Sequence, residues 1–240
     1  MRIVSCVPSL SEWIAFLNQE SLVGRTRYCI YPSSLDRVPV IGGTKKIVTE
    51  RIRKLKPDLV VSVEEENVKE QIESLASEFP VLTFRIEDIE SALFALEEIG
   101  KRISPQKSAQ ILAQIRASLN QSGLTEIPTL YLIWKKPWMA VGQSTFIHSM
   151  MEAMGFSNVL GKLNRYPVLE EHQMADLNPK LVLLPDEPYA FKSSDVQYLK
   201  SIFPEARIEL VDGSLFSWYS QRMASYPEYA RKIRAMAKID

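Results

Sequence analysis

Six short segments set aromatic rings beside charged groups. They are Arg25-Thr26-Arg27-Tyr28, Gly42-Gly43-Thr44-Lys45-Lys46, Glu64-Glu65-Glu66, Trp134-Lys135-Lys136-Pro137-Trp138, Asp186-Glu187-Pro188-Tyr189-Ala190-Phe191, and Asp212 to Tyr219 with Arg222 one turn beyond Trp218. Ring faces cover a flat ligand, and cations neutralise or hydrogen-bond its rim. The chemistry these residues offer is therefore capture of a flat, amphipathic molecule with anionic or amide edges. The candidate contacts are Tyr28, Lys45, Glu66, Trp134, Trp138, Tyr189, Phe216, Trp218 and Arg222. Each aromatic has a competing role as plain packing. The Gly42-Gly43 pair reads equally as an anion-binding loop or as a tight turn with solvated lysines.

No catalytic signature accompanies them: no phosphate-binding glycine loop, no nucleophile elbow, no zinc-protease motif. The chain has two histidines, His148 and His172, too few for a three-histidine zinc site. His148 falls mid-helix, where packing is the default. A binding protein without catalysis or intrinsic cofactor is the favoured expectation.

Most of these segments lie at the ends of apolar runs. Arg2–Cys6, Leu59–Val63, Val81–Phe84, Thr129–Trp134, Leu181–Leu184 and Arg207–Val211 read as buried strands of parallel sheets. Helical stretches alternate with them: one capped by Ser9 or Ser11, then Val48–Leu55, Asn67–Ser77, Thr145–Met154, one near Glu170–Leu177, Ser194–Ile202 and a terminal helix from about Ser220. Such alternation predicts right-handed βαβ units, and ligands then sit at strand carboxyl ends. From Ile86 to Asn120 only helical periodicity appears, and Ser104-Pro105 opens a helix of about 15 residues or more.

The two halves share a phrase. Arg37-Val-Pro-Val-Ile41 and Arg165-Tyr-Pro-Val-Leu169 are each followed by a helix ending in Leu-x-Pro, then a buried run, then acidic residues (Leu55-Lys56-Pro57 and Leu177-Asn178-Pro179). The expected fold is α/β, with two Rossmann-like lobes and a ligand cleft between them. The lobes are residues 1–103 and 125–240, joined by a backbone helix over 104–124.

The bulk numbers exclude other classes. In 240 residues, 29 basic side chains balance 29 acidic ones, so nothing favours nucleic acid or an anionic membrane surface. No run is long enough to span a bilayer. Arg2–Val7 reads as a first strand rather than a secretory signal, which points to a cytoplasmic chain or a mature segment. Cys6 and Cys29 are read as buried free thiols, with pairing as the alternative.

Residues 2–12 (Arg-Ile-Val-Ser-Cys-Val-Pro-Ser-Leu-Ser-Glu), the Val23–Pro32 segment, Ile41-Gly-Gly-Thr-Lys45 and Glu50–Val60 resemble the helical-backbone receptors. These are the substrate-binding proteins of ABC importers for cobalamin, ferric siderophores and haem, and the cobalamin branch is nearest. The resemblance implies ligand contacts at Tyr28, Trp138, Tyr166 and Phe216–Trp218. It also implies permease docking through one glutamate per lobe: Glu50 matches the first, and the second falls at His172 beside Glu170 and Glu171, with Glu171 the candidate. Thr44 and Trp218 stand where the cobalamin branch has a tryptophan and an arginine. The implied ligand is cobalamin or a ferric chelate, the implied location periplasmic, and the expected state a monomer. A cytosolic corrinoid- or tetrapyrrole-handling enzyme, chaperone or sensor of the same fold is the alternative, with Glu65, Glu66 and Glu187 as acid–base candidates. A weaker third reading is direct metal binding through Glu, Asp and His.

Overall fold

The computed structural model describes residues 1–121 and 123–237. The chain divides into two compact units. Unit 1 holds residues 1–86, 90–115 and 218–222, and unit 2 holds 87–89, 116–217 and 223–240.

Unit 1 contains β1 (Ile3–Ser5), α1 (Pro8–Asn18), β2 (Leu22–Gly24), β3 (Gly42–Gly43), β4 (Lys46–Ile47), α2 (Thr49–Leu55), β5 (Leu59–Val63), α3 (Lys69–Ala76), β6 (Val81–Phe84) and most of α4 (Ile89–Ile103). Its main sheet is parallel with strand order β2-β1-β5-β6. α5 (Pro105–Leu119) opens on its proline, as the sequence predicts, and the division between units falls inside it. Unit 2 contains β7 (Ile127–Trp134), β8 (Trp138–Ala140), α6 (Phe146–Ala153), β9 (Phe156–Asn158), β10 (Val168–Leu169), α7 (Glu171–Ala175), β11 (Leu181–Pro185), α8 (Ser193–Ile202), β12 (Arg207–Val211), α9 (Ser214–Ser217) and α10 (Tyr226–Met236). Its parallel strands run β9-β7-β11-β12, and β8 and β10 add an antiparallel extension.

The two sheets have the same winding: in each, the second strand lies outside the first, and the third and fourth follow on the other side. The shared Leu-x-Pro phrase is the switch into the third strand. Lys56 and Asn178 both adopt a left-handed conformation at φ 45°. The prolines then redirect the chain, and Asp58 N–H donates to the Arg2 carbonyl as Lys180 N–H donates to that of Pro128, each at 2.8 Å. Asparagine tolerates that backbone region. At Lys56 the Arg2 guanidinium helps, donating to the carbonyls of Leu55 (2.6 Å) and Lys56 (3.4 Å).

Several expected boundaries move. α1 opens on Pro8 with Val7 as its cap; proline at the first helical position loses no hydrogen bond and has its φ preset. Ser9 and Ser11 are therefore inside the helix, and the Ser11 hydroxyl turns back to the Val7 carbonyl at 2.9 Å. α3 begins two residues late because Asn67 is committed elsewhere. Its side chain accepts from Val63 N–H and donates to the carbonyls of Cys6 and Thr44. The terminal helix starts at Tyr226, six residues after the expected Ser220, with Pro227 in its first turn. Opposite each other on α4 and α5 stand Gly100 and Ser108, where a Cβ on the glycine would lie 1.9 Å from the serine hydroxyl. No helix among the described residues is long and apolar enough to cross a membrane.

Cys6 and Cys29 are both buried and unpaired. Burial, with a smaller push from Cys29, raises the Cys6 thiol to about 12. Burial also raises Cys29, against hydrogen bonds with Ser11 and Thr26. A thiol held neutral in the fold but free to ionise when unfolded leaves stability intact below its ordinary value. Stability then falls as pH rises toward the folded value, by up to ~1.4 kcal/mol per pH unit for each group. The urea midpoint of the wild type should therefore drop more between about pH 8 and pH 10.5 than that of Cys6→Ala. Parallel declines would show that the thiol is not the source.

Candidate ligand-binding site

The aromatic surface of unit 1 is built on the loop after β2. Arg25 is buried and donates to the carbonyls of Leu35 (2.7 Å) and Cys29 (3.2 Å), fixing that loop from inside. The loop turns Tyr28, Ile30 and Tyr31 outward, with Tyr28 at 55% exposure. Gly43 is what lets the Tyr28 ring lie so close to the hairpin, since a Cβ there would meet its Cε2 at 3.2 Å. That hairpin, β3 with β4, is the turn reading of the glycine pair: Gly42 sits at φ 129°, and a Cβ on it would strike the Lys46 carbonyl at 2.4 Å. Lys45 Nζ donates to the Glu65 carbonyl at 2.5 Å.

Residues 218–222 complete this surface as a strap that belongs to unit 1. Tyr31 and Trp218 meet edge to face at 5.7 Å. The Arg222 guanidinium lies over the Tyr31 ring at 4.2 Å and near the Trp218 ring at 5.4 Å. Its Nε donates to both oxygens of Glu12, at 2.8 and 2.9 Å. Glu12 projects from α1, is 4% exposed, and also accepts from the Ser220 hydroxyl at 2.8 Å. Tyr219 OH donates to Glu66. Of the residues singled out in the sequence, Trp218 and Arg222 meet here; Glu66 is tied to the same strap through Tyr219. Glu12 and Tyr31 were missed. Glu12 had left one signal, a carboxylate amid otherwise apolar and small residues of α1.

Unit 2 repeats the theme. Lys135 leaves β7 and places Nζ 5.5 Å from the Trp138 ring and 5.3 Å from that of Tyr198. The same Nζ donates to buried Asp195 at 2.5 Å. Burial alone would raise the Asp195 carboxyl, but hydrogen bonds from Lys135 and the Lys192 N–H outweigh it and hold it below the usual carboxylate range. Glu171 is likewise lowered, by hydrogen bonds from Tyr198 OH and then Trp138 Nε1. Trp134 is exposed and meets Tyr189 at 5.5 Å, and Tyr189 meets Phe191 at 4.7 Å. Tyr166 is half-buried just before β10.

Three singled-out aromatics lie inward: Phe216, Trp138 and Trp218, the last 7% exposed with its ring turned to Tyr31 and Arg222. Phe216 has no exposed surface and packs against Tyr131 (5.1 Å) and Tyr226 (5.0 Å), so it offers no face to a ligand. Trp138 is 6% exposed and is part of the unit 2 core, stacked on Phe191. Glu50, in the first turn of α2, is exposed and pairs with Arg53 at 3.3 Å. His148 contacts Asn158 in unit 2. A 430 Å³ pocket at the ends of β5 and β6 is lined by Glu64, Asn67, Lys69 and Thr83 among others. It presents no aromatic ring and does not suit a flat ligand. No group of three or more His, Cys, Asp or Glu among the described residues is placed to hold a metal ion.

Residues 3–194 match the sequence pattern of the periplasmic binding proteins. The chain belongs to that family. Among its relatives, the vitamin B12-binding protein of Salmonella typhi is 24% identical over 191 residues, covering 76% of this chain and 71% of that protein. The family fold recurs in the periplasmic vitamin B12-binding protein of Vibrio cholerae (TM-score 0.85, 17% identity, 100% of this chain and 98% of that one). It recurs again in a periplasmic heme-binding protein from Roseiflexus sp. RS-1 (TM-score 0.82, 19% identity, 99% of each chain).

Proposed function

We propose that this chain is a non-catalytic substrate-binding protein of an ABC-type importer that captures a corrinoid or another large, flat metal chelate. The observation that carries the reading is the Tyr31–Arg222–Trp218 cluster, with exposed Tyr28 on the same loop as Tyr31, in a chain of a family whose similar members are named for vitamin B12 and heme. Rings of that size match the face of a macrocycle, and guanidinium N–H groups match its polar rim. Tyr28, Tyr31, Lys45, Glu66 and Arg222 form the contact surface of unit 1, and buried Trp218 holds Tyr31 and Arg222 in place beneath it. Trp134, Trp138, Tyr166 and Tyr189 supply that of unit 2, Trp138 chiefly by supporting the others. The chelate is cargo rather than a resident cofactor.

In this reading the protein works in the periplasm as a monomer and hands its cargo to a permease through Glu50 and the Glu170-Glu171 pair. Glu171 already holds Tyr198 and Trp138, and Glu170 caps α7 and lies 3.4 Å from His172. Titration of ligand-free protein with cyanocobalamin and, separately, hemin tests the proposal, followed by tryptophan fluorescence and calorimetry. The expected result is saturable one-to-one binding of at least one of them, micromolar or tighter. Failure of both to saturate overturns the reading.

A further inference from the structure

The cation at the centre of the unit 1 surface is not a free positive charge. Glu12 receives Nε of Arg222 on both carboxylate oxygens and is buried. Arg222 therefore arrives at the surface already neutralised. Its outer edge is a different matter. Among the described residues no acceptor lies on Nη1 or Nη2, and the Tyr31 and Trp218 rings fix the guanidinium plane. What remains is a rigid fork of N–H donors with no net charge behind it. Lys45 gives one of its three donors to the Glu65 carbonyl, which leaves its own charge in place. Unit 2 independently neutralises its own ring-stacked cation, Lys135, with buried Asp195.

We infer that Glu12 is a positioning residue that makes Arg222 a charge-neutral donor edge, selecting a chelate whose rim carries amide or other uncharged carbonyl acceptors over one whose rim carries carboxylates. The inference rests on the chelate-binding reading above and adds the chemistry of the rim. An amide carbonyl loses little on leaving water and accepts well from a guanidinium. A carboxylate loses far more, and here it would meet an arginine whose charge is spent and approach the Glu12 carboxylate behind it.

The test compares cyanocobalamin with its monocarboxylates, made by mild acid hydrolysis of one peripheral amide, so that the ring is constant and one rim group changes. Wild type should bind cyanocobalamin more tightly by roughly tenfold, the scale of one polar contact. Glu12→Gln keeps the shape and a hydrogen-bond acceptor but releases the arginine charge, and should erase or reverse that ratio. A glutamate that merely braced the fold would lower both affinities together and leave the ratio alone, which would overturn the inference. Arg222→Gln should weaken cyanocobalamin binding, and it supplies the answer if Glu12→Gln does not fold; unchanged affinity in Arg222→Gln also overturns the inference. Equal binding of both ligands by wild type overturns it and spares the chelate reading. Binding of neither, nor of hemin, overturns both.

Discussion

An Arg222→Ala variant loses about 3–4 kcal/mol of folding stability, most of it because a buried carboxylate is left without its partner. The number follows from where the charges sit. Glu12 is 4% exposed and carries two bonds from Arg222 Nε and one from Ser220. Breaking one side of a buried pair costs ~3–5 kcal/mol. Arg222 is the better-exposed partner, so water reaches part of the vacated space and the effect falls toward the lower end. Lost contact with the Tyr31 face adds ~0.5–1 kcal/mol. Glu12→Gln should restore most of the loss when added to Arg222→Ala, because a neutral amide has no charge to desolvate. Arg222→Lys should restore only part of it, since an ammonium can still donate to Glu12 but lacks the planar face that lies over the Tyr31 ring. Urea unfolding of wild type, the single variants Glu12→Gln and Arg222→Ala, and the double variant gives a coupling energy, expected above ~1.5 kcal/mol. A value within error of zero would mean the pair is screened and Glu12 is not held by Arg222.

This strap also shows where the sequence stops being legible. From Ser217 to Arg222 the residues permit a helix, and the terminal helix was expected from about Ser220. Instead the Ser220 hydroxyl and the Arg222 guanidinium are drawn to Glu12, more than 200 positions earlier, and Tyr219 to Glu66. Local propensity is too weak to resist several such bonds. The strands that could be read, Ile3–Ser5, Leu59–Val63, Val81–Phe84, Ile127–Trp134, Leu181–Pro185 and Arg207–Val211, are four to eight residues long apart from the first and mainly apolar, with Arg207–Val211 interrupted by Glu209. Those missed are two or three residues long, such as Leu22–Gly24 and Phe156–Asn158, and are too short to show a period. The expected contacts split in a similar way. Sequence identified rings that cluster near strand ends, but a tryptophan beside lysines looks the same whether its face is outward, as at Trp134, or inward, as at Trp138. Tyr31 carried no neighbouring charge in sequence; its cation arrives from Arg222 through the fold.

Trp138 is where that ambiguity has the largest consequence. It is 6% exposed, lies parallel to Phe191 at 6.4 Å and to Tyr198 at 6.0 Å, and donates from Nε1 to Glu171 at 3.4 Å. Trp138→Ala removes the centre of this stack. The expected cost is ~3–5 kcal/mol of stability, the range for large aromatics deleted from a packed core. Trp138→Phe keeps a ring between the two neighbours and loses only the smaller part of the volume and one long hydrogen bond, so it should cost ~1–2 kcal/mol. Ligand affinity then separates support from contact. If Trp138 serves by holding Tyr198 and Lys135 in place, Trp138→Phe binds chelate like wild type while Trp138→Ala binds worse by at least ~1 kcal/mol. If its small exposed edge touches the ligand, Trp138→Phe loses affinity at near-native stability. A Trp138→Ala protein as stable as wild type would contradict a packed core at this position, where Trp138 sits among buried residues of unit 2 and beside the Lys135–Asp195 pair.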